Sequence, residues 1–402
     1  MNILVIGNGF DLAHGLPTKY VDFLEMIQCF KSIINEPNIM KAGGLDNIEK
    51  PIYAFLDRFI FEEGALRVEF NRLIEDNFWI EYFLENPMYQ KENWIDFESE
   101  ISKVIKQLNE DMYFDDVKRW QLDDEINDLA NEYLEKIYSK YTSTLRSMVI
   151  LTDGKSESVT FRQIRDRLYS DLNRLIRALE IYMTAYIEQM ECNLESPDIS
   201  NIWFDGILSF NYTNTYEKLY DSKGLANYDY IHGKANIKNK IYTNNMVLGI
   251  DEYLPKHRKD KDVDFISFKK FYQRIYKETG CEYRKWVDDI RSNNPIKNRT
   301  YGGFDENGNK VIESTYSSQH NLYIFGHSLD VTDGDILKDL ILNDNVYTTI
   351  YYVNKDVMGQ QIVNLVKVIG QDELIKRTGG KNKTIEFKKQ ADMIWKSKGD
   401  QL

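Results

Sequence analysis

The sequence predicts an α/β protein built on a mostly parallel, Rossmann-like sheet flanked by helices and carrying a large α-helical insertion. Three observations carry that prediction. Short apolar runs of strand length recur towards both ends of the 402-residue chain. Several of these runs lead into helix-like stretches, the way parallel strands are joined. Between residues 45 and 200 the pattern changes to long charged and aromatic segments with helical spacing.

The first run, "NILVI" at residues 2 to 6, is continuously apolar, as strands buried on both faces are. It leads into Gly7-Asn8-Gly9-Phe10-Asp11, and Gly15-Leu16-Pro17 follows. Gly7 and Gly9 allow positive φ and the close approach of another group to bare backbone. A strand running into such a turn often presents its amides to a phosphate. The dinucleotide fingerprint fails here, because Leu12 stands where its third glycine belongs.

Further strands are expected at "GILSFNY" (206 to 212), "YDYIHG" (228 to 233), "NMVLGI" (245 to 250), "NLYIFG" (321 to 326) and "VYTTIYYVN" (346 to 354). Helices are expected in "TNTYEKLYD", "DGDILKDLILN" and "DVMGQQIVNLVKVIG", which follow three of them. Within the insertion, Phe161, Ile164, Leu168, Leu172, Leu175, Leu179, Tyr182 and Ile187 form one apolar face of a long helix. Arg165, Arg167, Arg174 and Arg177 flank that stripe and are read as a solvated face. The expected organisation is therefore a discontinuous sheet domain, 1–44 and 201–370, a helical insertion domain at 45–200 and a C-terminal extension at 371–402. A second insertion near 254–318, rich in Lys, Arg and Tyr, reads as a hydrophilic loop, with a lid and an anion site left open.

Composition narrows the classes. Apolar residues make up 42%, aromatics are abundant and prolines number only 7, which argues against long disorder. The net charge of −13 does not favour nucleic acid or an anionic membrane as a partner. Cys29, Cys192 and Cys281 are far apart, so neither a zinc knuckle nor a disulfide framework is expected. With a strand beginning at position 2 no signal peptide is expected, and no apolar run is long enough to span a bilayer. The expected address is cytoplasmic.

Ligands in open parallel sheets bind beyond the carboxyl ends of the strands, where strand order reverses. The notable polar clusters fall at such ends: Asn8 and Asp11 after the first strand, then Asn211, Thr213 and Asn214, then His232 and Gly233. Gly326, His327 and Ser328 follow the fifth run, and Asn354 ends the sixth. Each alone is compatible with turn chemistry; together they converge on one edge. Unaided, His232 reads first as a histidine satisfied by nearby backbone, His327 as structural or as a support behind the site, and His14 as a residue of the first turn after the glycine loop within reach of a ligand.

The opening "IGNGFDLAHGLPTKY" resembles the start of sirtuin-type NAD-binding domains, with Gly7, Gly9, Gly15 and Pro17 on matching positions. "SFNYTNTYE" resembles the second sirtuin-like signature with Asn211 on its asparagine, and "YIHG" the third, where the histidine is the catalytic base. "FGHSLDVTDGDIL" resembles a segment of bacterial defence members, with Gly326, Ser328 and Asp333 matching, and Asn354 falls where an asparagine contacts adenosine. Taken together, these stretches are more similar still to the AbiH family of phage abortive-infection proteins. Asp11 and Thr213 depart from the sirtuin-like serine and aspartate. Three scattered cysteines cannot supply the zinc module of the deacetylases, so protein deacylation is disfavoured.

The resemblance implies an anti-phage effector that cleaves the nicotinamide–ribose bond of NAD, with no metal. His232 would be the general base, Asn211 would orient a ribose hydroxyl or the attacking water, and Asp11 would either stabilise positive charge or cap the following helix. Gly7, Asn8, Gly9, Phe10, Gly15, Pro17, Thr213, Gly326, His327, Ser328 and Asn354 would hold the nucleotide. A non-catalytic nucleotide-binding sensor is the alternative, and direct nuclease action has the least support. A phage-derived trigger and self-association into a homo-oligomer are the expected partners besides the NAD-like ligand.

Overall fold

The computed structural model describes residues 1–35, 50–61, 64–119, 161–292, 300–304, 310–314 and 319–396. The chain divides into two compact units, one formed by Met1–Pro17, Met190–Lys234 and Thr279–Leu402, the other by Thr18–Gln189 and Ala235–Glu278.

The first unit is built on six parallel strands: β1 (Asn2–Ile6), β2 (Gly206–Ser209), β3 (Asn227–Tyr230), β4 (His320–Phe325), β5 (Val346–Tyr352) and β6 (Ile385–Lys389). Their order across the sheet is β3-β2-β1-β4-β5-β6, the Rossmann order, with strand order reversing between β1 and β4. Alternation explains why "NILVI" is apolar throughout. Ile3 and Val5 enter one core with Leu208, Leu322 and Ile324. Leu4 and Ile6 enter the opposite core with Ile207 and Phe325.

Helices cover both faces. On the second face lie α1 (Asn8–Ala13) and α2 (Thr215–Tyr220), through Phe10 and Tyr216. On the first lie α3 (Tyr283–Ser292), α4 (Gly334–Ile341), α5 (Lys355–Ile369) and α6 (Gln371–Thr378), through residues such as Trp286, Leu337, Leu365 and Leu374. The fold is a mostly parallel α/β Rossmann-like sheet with a helical insertion, as the sequence predicts.

Two strand expectations need correction. "NMVLGI" at 245–250 is not a strand of this sheet and belongs to the other unit. Its backbone is satisfied by a single parallel bridge between Ile250 and Lys269 and by the Gln273 side chain, which pairs with Leu248 at both N–H and C=O. The last strand, β6, comes instead from the segment expected as an extension, and pairs with β5 from Thr348–Ile385 to Tyr352–Lys389. The helical unit also takes residues 235–278 and begins at Thr18, earlier in the chain than residue 45, while α3 and a hairpin of Thr300–Phe304 with Lys310–Ser314 belong to the sheet unit.

In the second unit the predicted long helix spans Phe161–Ile181 and continues as a π-helical turn, Tyr182–Tyr186. Its arginines are not a solvated face. Arg177 is fully buried, bonding Glu180 at 2.7 Å and Glu69 at 2.9 Å. Arg167 and Arg174 both grip the buried Asp171, at 2.9 and 2.8 Å. The helical spacing located these side chains correctly; of the carboxylates they meet, Asp171 and Glu180 lie on the same helix, while Glu69 and Asp76 come from other segments. The part of the insertion at 120–160 lies outside the described residues.

Candidate functional site

The site grows from the turn after β1. The Gly9 N–H donates to the Gly326 carbonyl at 2.8 Å, so the loops leaving β1 and β4 meet backbone to backbone where strand order reverses. A Cβ on Gly7 would lie 2.8 Å from the Gly326 oxygen, and one on Gly9 2.8 Å from the Gly326 Cα. Gly326 has φ +67°, and a Cβ there would stand 2.1 Å from the Phe10 nitrogen. These three glycines are therefore required by the loop–loop contact itself. The amides of Gly7, Gly9 and Phe10, expected to cradle pyrophosphate, donate to Phe325 O, Gly326 O and Gly7 O.

A first polar group assembles over this turn. Asp11 is buried at 1% exposure and accepts a 2.7 Å hydrogen bond from the Thr213 hydroxyl through Oδ2. Thr215 donates in turn to Thr213 at 3.1 Å. Asp11 Oδ1 is buried without a hydrogen-bond partner among the described residues. Loss of solvent pushes the carboxyl up to about 6, against the opposing effect of the Thr213, Thr215 and Asn211 side chains. Its side chain does not cap α1, where Gly7 holds the N-cap position. The two departures from the sirtuin-like pattern, Asp11 and Thr213, thus bond each other. Asn211 donates its side-chain amide to the Gly7 carbonyl at 3.0 Å, tying the end of β2 to the end of β1.

A second group lies beyond β3 and β4. His232 and His327 approach the same carboxylate: His232 Nε2 is 3.5 Å from Asp333 Oδ1, and His327 Nε2 is 3.5 Å from Asp333 Oδ2. The Phe210 ring packs edge-on to both imidazoles, at 5.6 Å from His232 and 4.3 Å from His327. All three polar residues are buried at 9% exposure or less. The His327 loop is held from α5, where Gln361 donates to the His327 carbonyl at 3.1 Å and Asn364 to that of Ser328 at 2.9 Å. Within that loop Leu329 takes φ +60°, and its N–H donates to His327 Nδ1 at 2.9 Å.

The remaining candidates are occupied elsewhere. His14 is buried with its two nitrogens on the Phe10 carbonyl and the Tyr220 hydroxyl, both at 2.7 Å, and burial lowers its proton affinity. The Phe10 side chain sits in the core, 5.8 Å from the Phe325 ring. Gly15, at φ +77°, ends the first helical turn with its N–H on Leu12 O. Asn354 is exposed and caps α5, accepting from the Val357 N–H at 2.9 Å. Asp333 was matched to the defence-type segment but given no role in the site, and Phe210 was not singled out. Asp333 is one of four aspartates in "DVTDGD" and the helix that follows, and only its position on the Val331–Asp333 turn separates it from the others.

This arrangement extends through one recognisable stretch of sequence. The model of the family described as Bacteriophage abortive infection AbiH matches residues 3–354. The chain belongs to the AbiH family. The match runs from β1 to the cap of α5 and takes in Asp11, Asn211, His232, His327 and Asp333, together with the helical unit. AbiH proteins are bacteriophage abortive-infection proteins, and that role comes with the family. No curated protein matches the chain. Among the described residues no helix is long and apolar enough to cross a membrane.

Proposed function

We propose that this AbiH chain is an anti-phage effector that hydrolyses the nicotinamide–ribose bond of NAD or a close relative, with His232 as general base. The observation that carries the reading is the His232–Asp333 pair, buried beside the point where strand order reverses. An anionic partner on Nε2 raises the basicity of the other ring nitrogen and steadies the imidazolium once a proton arrives. In the reaction the C1′–N bond breaks with its electron pair going to nicotinamide. A water oxygen bonds C1′, and the water proton passes to His232. Asn211 supports the step by fixing the Gly7 carbonyl and hence the first loop. Cytoplasmic NAD would be the substrate pool and a phage product the trigger.

One observation favours a second reading, a nucleotide-binding sensor without turnover. Three amides of the glycine turn are already bonded within the protein, so a pyrophosphate would have to find other donors. The test is nicotinamide release by the purified parent, His232→Ala and Asn211→Ala, paired with NAD levels in phage-infected cells. The hydrolase reading expects turnover that falls about 10²- to 10⁴-fold without His232. NAD left unchanged in both settings by a folded, protective parent selects the sensor.

A further inference from the structure

The second histidine is given no step in the hydrolase reading, which counts it only among the residues that would hold the nucleotide. His327 and His232 approach different oxygens of the Asp333 carboxylate, each at 3.5 Å, at the outer edge of hydrogen-bond reach and within ion-pair range. The backbone decides how His327 is protonated. Because the Leu329 N–H donates to Nδ1, neutral His327 must carry its proton on Nε2, the atom that faces Asp333. The loop adopts a left-handed backbone at Leu329, a non-glycine residue, where that bond is made.

We propose that His327 is a positioning residue that acts through Asp333 to set the tautomer and proton affinity of His232. His327 donates from Nε2 to one carboxylate oxygen and so aims the other at His232 Nε2. His232 then keeps its proton on Nε2 and works as a base through Nδ1. The assignment of His232 as a base rests on the hydrolase reading; the coupling between the two histidines does not. The two imidazoles share one carboxylate, each facing its own oxygen. The groups packed around them are the Phe210 ring, the Tyr212 ring at 6.5 Å from His232, and Asp333 itself.

The test is an imidazole nitrogen NMR titration of the full chain, whose five histidines can be assigned one by one by substitution. In the parent both His232 and His327 should show the Nε2–H tautomer. His327→Gln keeps a donor towards Asp333 but can never be charged, so the His232 midpoint should rise by roughly half a unit or more while its tautomer is kept. Asp333→Asn removes the shared charge, and the His232 midpoint should fall. Opposite signs from the two variants are what a merely structural role cannot produce. A His232 midpoint that ignores both substitutions, or an Nδ1–H tautomer at His327 in the parent, overturns the proposal. NAD assays on the same samples separate the two claims: coupled histidines with no turnover sink the hydrolase reading alone, and turnover with uncoupled histidines sinks this one alone.

Discussion

Asp11 accepts one hydrogen bond, from Thr213, and keeps its second oxygen buried without a donor among the described residues, so its negative charge is held against desolvation. The folded carboxyl holds its proton up to about 6, above the ordinary 3.8. The folded state therefore binds the proton more tightly than the unfolded chain. The stability this brings is complete below about pH 4 and is lost as pH rises through 6, a swing of about 3 kcal/mol. Asp11→Asn keeps an acceptor for Thr213 and removes the charge. It should melt higher than the parent at pH 7.5, with the gap closing on acidification towards pH 4. Equal melting at pH 7.5 would show that the charge is compensated. Such a cost is expected of a group kept for chemistry rather than for folding. His232 and Asp11 were legible in the sequence because they follow strands directly. Asp333 was matched only through the resemblance and without a role, since that role depends on two histidines brought in from the ends of β3 and β4.

Loops and helix ends show which signals had a structural cause. The G-x-G turn was readable as a place of close backbone approach; what approaches is the Gly326 loop, a fact no local pattern carries. Gly326→Ala combines a positive φ with a 2.1 Å clash and should leave too little folded protein to melt cooperatively, whereas a cooperative melt near the parent's would remove the loop–loop contact from the account. Asn354→Ala should cost about 1 kcal/mol through loss of the α5 cap. Asn354→Ser retains capping, so reduced nucleotide affinity in that variant at parental stability would assign the side chain to a ligand as well. In the helical unit, Arg177→Met removes the cation paired with the fully buried Glu180, leaving that carboxylate only the neutral donors of Asn236, Asn239 and Asn244, and should destabilise by about 3 kcal/mol, read by denaturant unfolding. Periodicity placed Arg177 beside the apolar stripe of its helix. Only the tertiary fold brings Glu69 to it, which is why a solvated face was the natural expectation.

At the level of the molecule, strand recognition from continuous apolar runs recovered five of the six sheet strands. It failed on "NMVLGI", equally apolar but bonded to a glutamine side chain, and on β6, "IEFKK", whose alternation is that of a half-exposed edge. The family match ends at Asn354, yet β6 and α6 complete the sheet unit beyond it, contributing Leu374 and Ile385 to the core. A chain ending after Ile369 would expose β5 as a long unpaired edge and should be recovered mainly as aggregate. Soluble, monodisperse truncated protein would show that the sheet closes without β6.

The position of β1 in the middle of the sheet also sets a clock. Its neighbours are β2 and β4, and roughly 300 residues separate Ile6 from His320. At bacterial translation speeds of about 5–20 residues per second, the apolar "NILVI" waits roughly 15–60 s for its second partner to be made. The histidine of β3's loop and the aspartate after β4 meet only then, because Asp333 follows β4 in the chain. A nascent chain thus lacks the His232–Asp333 pair until most of it has been made, and over the same interval its first strand is without the neighbour on its β4 side.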